Sequence, residues 1–104
     1  MAEIVWAESA LEDLDAIADY IAFENPAAAR RLVQRVFSKV EHLREFPRMG
    51  SIPPEIPDLT YRQILVLPCR IFYRPAANKV YILHVMRGER LLRSEILGQR
   101  DFEI

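Results

Sequence analysis

Little in this sequence is available for covalent or metal chemistry. Cys69 is the single cysteine among 104 residues, so no internal disulfide and no thiolate metal site can form. Its place between Pro68 and Arg70, in an apolar stretch, points to a buried, inert thiol. His42 and His84, with no cysteine pair beside them, make no recognisable metal motif. There is no Gly-rich phosphate loop, and no Ser/His/Asp arrangement stands in a motif context. No apolar run approaches the ~20 residues of a membrane helix. The start, MAEIVWAESALEDL, is acidic and lacks the basic opening and small-residue cleavage site of a signal peptide, so the expected location is the cytoplasm. No metal, cofactor or membrane partner is expected.

Also missing is any positive charge at the beginning of the chain. Residues 1–25 hold seven acids and no Lys or Arg, while residues 26–104 hold all 14 bases against eight acids. The formal net charge of −1 therefore conceals an acidic head on a basic remainder. Such segregation fits a basic part that meets nucleic acid or an acidic protein, and it equally fits an acidic first helix complementing a basic second one.

The length is that of one domain, residues 1–104. Glu3–Ala7, with Trp6, reads as a short opening strand. Ser9-Ala10-Leu11-Glu12 fits a capping box, and Leu11, Leu14, Ile17, Ala18 and Ile21 mark one helix face running to about Phe23. Asn25-Pro26 is a second start signal, followed by an apolar face at Ala29, Leu32, Val33, Val36, Val40 and Leu43. Pro47 limits this helix to about Glu45. The short connection predicts an antiparallel helical hairpin over about 9–46. Residues 47–59 form a loop, with four of the seven prolines between Pro47 and Asp58.

A sheet is expected over about 60–87, from runs at Thr60–Leu67, Arg70–Arg74 and Lys79–Met86. Pro75-Ala76-Ala77-Asn78 reads as the turn between the last two, and Arg87-Gly88-Glu89-Arg90 ends the last. The C-terminal tail, residues 88–104, gives only a weak signal for a further short strand or helix at Leu92–Leu97.

The strand region YRQILVLPCRIFYRP, residues 61–75, is apolar yet holds Arg62, Arg70 and Arg74. Alternation puts Ile71 and Tyr73 toward the core, which leaves Arg70, Phe72 and Arg74 on a face that the helical hairpin does not cover. With Arg62 beside them, the sheet would present a cationic strip with aromatic filling. Guanidinium forks beside rings suit phosphates or an acidic peptide. The alternative is that these arginines snorkel to solvent or pair with Glu55, Asp58 or Glu95. His84 is placed by strict alternation with Val80, Ile82 and Met86, as a structural histidine or a general base.

The ordered set of motifs resembles a known family. Ala10-x-x-Asp13-Leu14-x-x-Ile17 stands in the first helix, and Asn25-Pro26-x-Ala28-Ala29 opens the second. L-x-x-F-P-R-M-G follows at 43–50, Tyr61-Arg62 and R-I-F-Y-R at 70–74 come next, and K-V-Y-I-L-x-V-x-R-G-x-R spans 79–90. Together they resemble the RelE/ParE superfamily of type II toxin–antitoxin toxins, on the ParE or plasmid-stabilisation side. The resemblance covers roughly residues 3–97. It implies an α+β fold: an N-terminal strand and an antiparallel helical hairpin packed on a small antiparallel sheet. It implies a cognate antitoxin partner that wraps the toxin, in a possible heterotetramer.

Two activities follow from the resemblance. ParE-like members poison DNA gyrase, and RelE-like members cut mRNA on the ribosome. An RNase would need Arg62, Arg70 and Arg87 as cations and His84 or a tyrosine as proton carrier, because arginine stays protonated. Ile64 stands where a second basic residue would be wanted, and no tyrosine follows Tyr81, which favours gyrase inhibition. An inactive relative that only binds its antitoxin is the third possibility. Candidate target- or antitoxin-binding residues are Arg62, Arg70, Phe72, Arg74, Arg87, Arg90, Leu92 and Ile96. With Leu91 and Leu97, the last two would bind the antitoxin or cover the open sheet face. Arg70→Ala is expected to reduce toxicity without disturbing the fold.

Overall fold

Asn25 sets the boundary within the first half of the chain. Its side-chain Oδ1 accepts from the Ala28 N–H at 3.0 Å, and Pro26 takes the first helical position, where a missing N–H costs nothing. One helix therefore ends before Asn25 and another begins after it. The structure, a computed structural model, describes residues 1–88 and 90–104. In order the elements are β1 (Glu3–Trp6), α1 (Glu8–Ala22), α2 (Pro26–Glu41) with a 3-10 turn at His42–Arg44, β2 (Arg62–Val66), β3 (Cys69–Pro75), β4 (Lys79–Arg87) and α3 (Glu95–Glu103). Of the expected break at Arg87-Gly88-Glu89-Arg90, β4 does end at Arg87, and Glu89 lies outside the described residues.

α1 starts two residues earlier than a capping box at Ser9 would place it. Its N-cap is Ala7, with no side-chain cap. The reason is the strand before it. The Ala7 N–H donates to the Ile82 carbonyl at 2.8 Å as the last rung of β1, and the Ala7 carbonyl already accepts from Ala10 and Leu11. The strand passes directly into the helix, and Ser9 falls inside the first turn.

The sheet order is β1-β4-β3-β2. β4 pairs antiparallel with β3, and β3 with β2, while β1 lies parallel to β4, with Glu3 opposite Lys79. The small antiparallel sheet is thus joined by one parallel edge. The fold is α+β, with the helical hairpin on one face. There Ala10, Leu14, Leu32, Val36 and Val40 bury Ile64, Val66, Ile71, Tyr73, Val80, Ile82 and Val85. Ile71 and Tyr73 are the core-facing pair of β3, as alternation requires.

Two features depart from strict alternation and an open second face. The β3–β4 register shifts between Phe72, opposite His84, and Tyr73, opposite Ile82. This bulge inserts one extra residue in β4. Val80, Ile82 and Val85 then face the helices, Leu83 and Met86 face the other way, and His84 stacks on Phe72 with ring centroids 5.8 Å apart. His84 therefore does not share a side with Val80 and Ile82. The second departure is the tail. It forms α3, and with the Pro-rich loop it builds a second core of Ile56, Phe72, Leu83, Met86, Leu92 and Leu97 on the face that was expected to lie bare.

Candidate functional site

The expected cationic strip is sealed by the chain's own end, and its arginines are held in internal pairs. Arg70 is only 9% exposed. Its Nη1 and Nη2 donate to the two Glu55 oxygens at 2.8 and 2.7 Å, and its Nε and Nη2 donate to Gln63 Oε1 at 3.1 and 2.7 Å. The Arg70 hydrogen bonds pull the Glu55 carboxyl down to about 2, against the opposing effect of burial. Arg74 donates from Nε to Asp101 Oδ2 at 2.7 Å and lies 4.6 Å over the Tyr81 ring. That hydrogen bond with Asp101 raises the Arg74 guanidinium above its ordinary value. Phe72 is fully buried and Leu92 nearly so.

Arg62 does not join them. It pairs across β2–β3 with Tyr73, so it belongs to the helix side of the sheet. Its Nη1 donates to the backbone carbonyls of Gly50 and Arg48 at 2.7 and 3.1 Å. The same turn is fixed from the other side, where the buried Tyr73 hydroxyl accepts from the Gly50 N–H at 3.0 Å. A Cβ on Gly50 would stand 2.5 Å from the Gln63 carbonyl oxygen, so glycine is required by close approach. Arg87 also faces the helix side, opposite Cys69, its guanidinium 5.8 Å from the Tyr20 ring. Arg62 and Arg87 flank β3 at positions four residues apart, about 14 Å along the strands. Arg62, Arg70 and Arg87 are thus distributed over both faces and both ends of the sheet.

What the fold brings together is a groove of about 680 Å³ between α1 and the C-terminal segment. Asp13, Ile17 and Tyr20 come from one row of α1, spaced by four and three residues. β4 supplies His84 and Arg87, and the tail supplies Arg90, Leu91, Arg93 and Ile96. Tyr20 and Leu91 are exposed large side chains, at 75% and 86%. Of the residues expected from sequence, the groove gathers His84, Arg87, Arg90 and Ile96. It leaves Arg62, Arg70, Phe72, Arg74 and Leu92 elsewhere.

At the groove's inner end, Asp13 ties three elements together. Its Oδ2 accepts from the Val85 N–H at 3.1 Å and lies 2.9 Å from His84 Nδ1. Arg100 from α3 donates to both Asp13 oxygens and, through Nη1, to the Leu83 carbonyl at 3.1 Å. His84 Nδ1 also lies 2.7 Å from Nη1, so Asp13, His84 and Arg100 form one polar cluster. Burial pushes the Asp13 carboxyl up, but the bonds from His84, Arg100 and Val85 outweigh it and hold the group below its ordinary value. Sequence reasoning missed Asp13, Tyr20, Arg93 and Arg100 as site residues. The signal for the first two was their shared helix row with Ile17. Among the described residues no cluster of histidine, cysteine or carboxylate side chains is arranged to hold a metal. No helix among the described residues is long and apolar enough to cross a membrane.

With this geometry in hand, the relatives are informative. The family model for the ParE toxin of type II toxin–antitoxin systems (parDE) matches residues 4–92. Toxin RelE2 of Caulobacter vibrioides is 35% identical over 92 residues, covering 88% of this chain and 100% of that protein. Putative toxin Y4kP of Sinorhizobium fredii is 36% identical over 87 residues, covering 84% of this chain and 88% of that one. A solved structure of a chromosomal ParDE toxin–antitoxin system from P. aeruginosa superposes with a TM-score of 0.72 at 26% identity, covering 86% of this chain and 98% of that one. The chain belongs to the ParE toxin family, within the RelE/ParE superfamily of type II toxin–antitoxin toxins. Membership implies a cognate antitoxin as partner. The family match ends at Leu92, so the groove's Arg93 and Ile96 and the whole of α3 lie beyond it.

Proposed function

We propose that this toxin acts by binding, with DNA gyrase as its target, and that its antitoxin holds it inactive in the cytoplasm as a heterotetramer. The observation that carries this choice is the dispersal of the arginines. Phosphorane stabilisation needs several cations aimed at one point. Here Arg70 is turned into an ion pair on one face, while Arg62 and Arg87 stand at separate ends of the other. The groove suits a protein partner better. It has an exposed tyrosine and leucine as apolar anchors, within a rim of Arg87, Arg90 and Arg93. An acidic amphipathic segment of the antitoxin or of the target fits that chemistry. Arg62, Arg70, Phe72, Arg74 and Leu92 contribute by shaping the sheet and tail around the groove.

The test is a supercoiling assay with the purified toxin and gyrase. Inhibition, or accumulation of cleaved DNA, is expected and should be relieved by antitoxin. No effect at high micromolar toxin would refute the target. One observation favours the ribosome-dependent endonuclease instead: His84, oriented by Asp13, opens on a groove rimmed by arginines. Primer extension showing codon-position cleavage that disappears in His84→Ala would replace the gyrase reading with that one.

A further inference from the structure

Apart from Asp13 with Arg100 and His84, and Glu3 with Lys79, the acids of the first 25 residues are not paired with the bases of the remainder among the described residues. α1 presents Glu8, Glu12, Asp15 and Asp19 to solvent, and α2 presents its own bases. Among the described residues, none of the ion pairs joins α1 to α2. Arg31, Arg35 and Lys39 stand four residues apart and form one row along α2, with ~6 Å of rise between charges. Arg30, Gln34 and Ser38 form the adjoining row. All six are exposed, and neither row contains a carboxylate or an apolar side chain. Their one side-chain hydrogen bond among the described residues runs from Arg35 Nη2 to the Leu67 carbonyl at 3.1 Å.

We propose that this double row on α2 is a binding surface for the phosphate backbone of duplex DNA, without base readout. A protein interface draws its affinity from apolar or aromatic anchors in desolvated pockets, which these rows lack and the groove beside α1 has. Binding to a phosphate backbone needs only cations that displace counterions, with neutral hydrogen-bond donors between them. Long side chains stepped by ~6 Å can each take a separate phosphate on a strand that carries one every ~3.4 Å of axis. In the gyrase reading, on which the identity of this DNA rests, it is the segment held by the enzyme, so the toxin touches protein through its groove and DNA through α2.

Fluorescence anisotropy of a labelled 30-base-pair duplex with the full chain, from 50 to 200 mM KCl, tests this. Four phosphate contacts give a log–log salt slope of about −3.6, a weakening of about 150-fold across that range. The variant R31Q/R35Q/K39Q keeps one contact and should weaken only about 3–4-fold across the same range. A second variant, R30Q/R31Q/K39Q, leaves the Arg35 bond to Leu67 in place, so its loss of binding cannot come from a released strand. Circular dichroism and antitoxin binding report its fold. A wild-type slope shallower than −1, or variants that keep the wild-type slope, would overturn the proposal. So would a same-length RNA duplex that binds more tightly than the DNA. A toxin with the expected slope but no effect on gyrase would uphold the DNA surface and refute the target. Gyrase inhibition without DNA binding would do the reverse.

Discussion

Glu55→Gln is the sharpest perturbation of the second core. It conserves shape and places a neutral amide, with its own N–H donors, against a guanidinium that has almost no access to water. The side chains of Arg70 and Glu55 are 10% and 21% exposed. Breaking a fully buried pair costs about 3–5 kcal/mol. This pair sits at a rim, and Gln63 still accepts from Arg70, so about 2 kcal/mol is expected at pH 7. The lowered Glu55 pKa, which reflects the same hydrogen bonds, leads to the same order of magnitude. The carboxyl falls from an ordinary 4.5 to about 2 on folding, which corresponds to about 3 kcal/mol before solvent screening and about 1–2 after it.

The depressed folded value fixes the sign of the pH dependence. The pair's contribution is fully present above pH 4.5 and is lost as pH falls from 4.5 toward 2. Urea denaturation of wild type and Glu55→Gln at pH 7, 4.5 and 3 measures it. The gap should be about 2 kcal/mol at pH 7, or about 8–10 °C in Tm, and should shrink by more than half at pH 3. A gap below about 0.5 kcal/mol at pH 7, or one that stays constant down to pH 3, would refute this account of Arg70. The same result bears on Arg70→Ala. That variant should lose stability together with toxicity, contrary to the expectation that its fold stays intact, so its loss of toxicity would not identify a catalytic arginine.

Other outcomes follow from the packing. Gly50→Ala must displace the Gln63 carbonyl or the Tyr73 ring, so a loss of about 2–4 kcal/mol is expected, and a wild-type melting curve would contradict it. Leu97→Ala removes a fully buried side chain that joins α3 to β4, at a cost of about 2–4 kcal/mol in denaturant titration, and a cost below about 1 would show the helix to be loosely seated. Arg100→Ala releases the α3 side of Asp13. Hydrogen exchange should then rise in residues 95–103 while α2 keeps its protection, and unchanged exchange there would mean the ion pair does not hold the helix.

The hairpin and the four strands were legible because their signals are local. Asn25-Pro26 caps a helix whatever surrounds it, and the pattern of Ile71 and Tyr73 needs only a neighbouring apolar layer. α3 was not legible in the same way. It is nine residues long with Gly98 near its middle, and Leu97 is its one buried residue. No amphipathic face announces it, and Phe102 and Ile104 remain exposed. What seats it is long-range: Arg74 with Asp101, 27 residues apart, and Arg100 with Asp13, 87 apart. The bulge that moves His84 across the sheet is a property of strand pairing, which a single strand's alternation cannot reveal. The unread α3 caused the misreading of Arg70 and Arg74, and the β2–β3 register, which sets Arg62 opposite Tyr73, caused that of Arg62. Once α3 and the Pro-rich loop occupy the second face, Arg70 and Arg74 have internal carboxylates, and an apolar strand can hold guanidiniums because the acids arrive from remote segments. The α2 bases, which no carboxylate among the described residues pairs with, are then the cations available to another macromolecule. The uneven distribution of charge between the first 25 residues and the rest was therefore a better guide to the interaction surfaces than the arginines embedded in the strands.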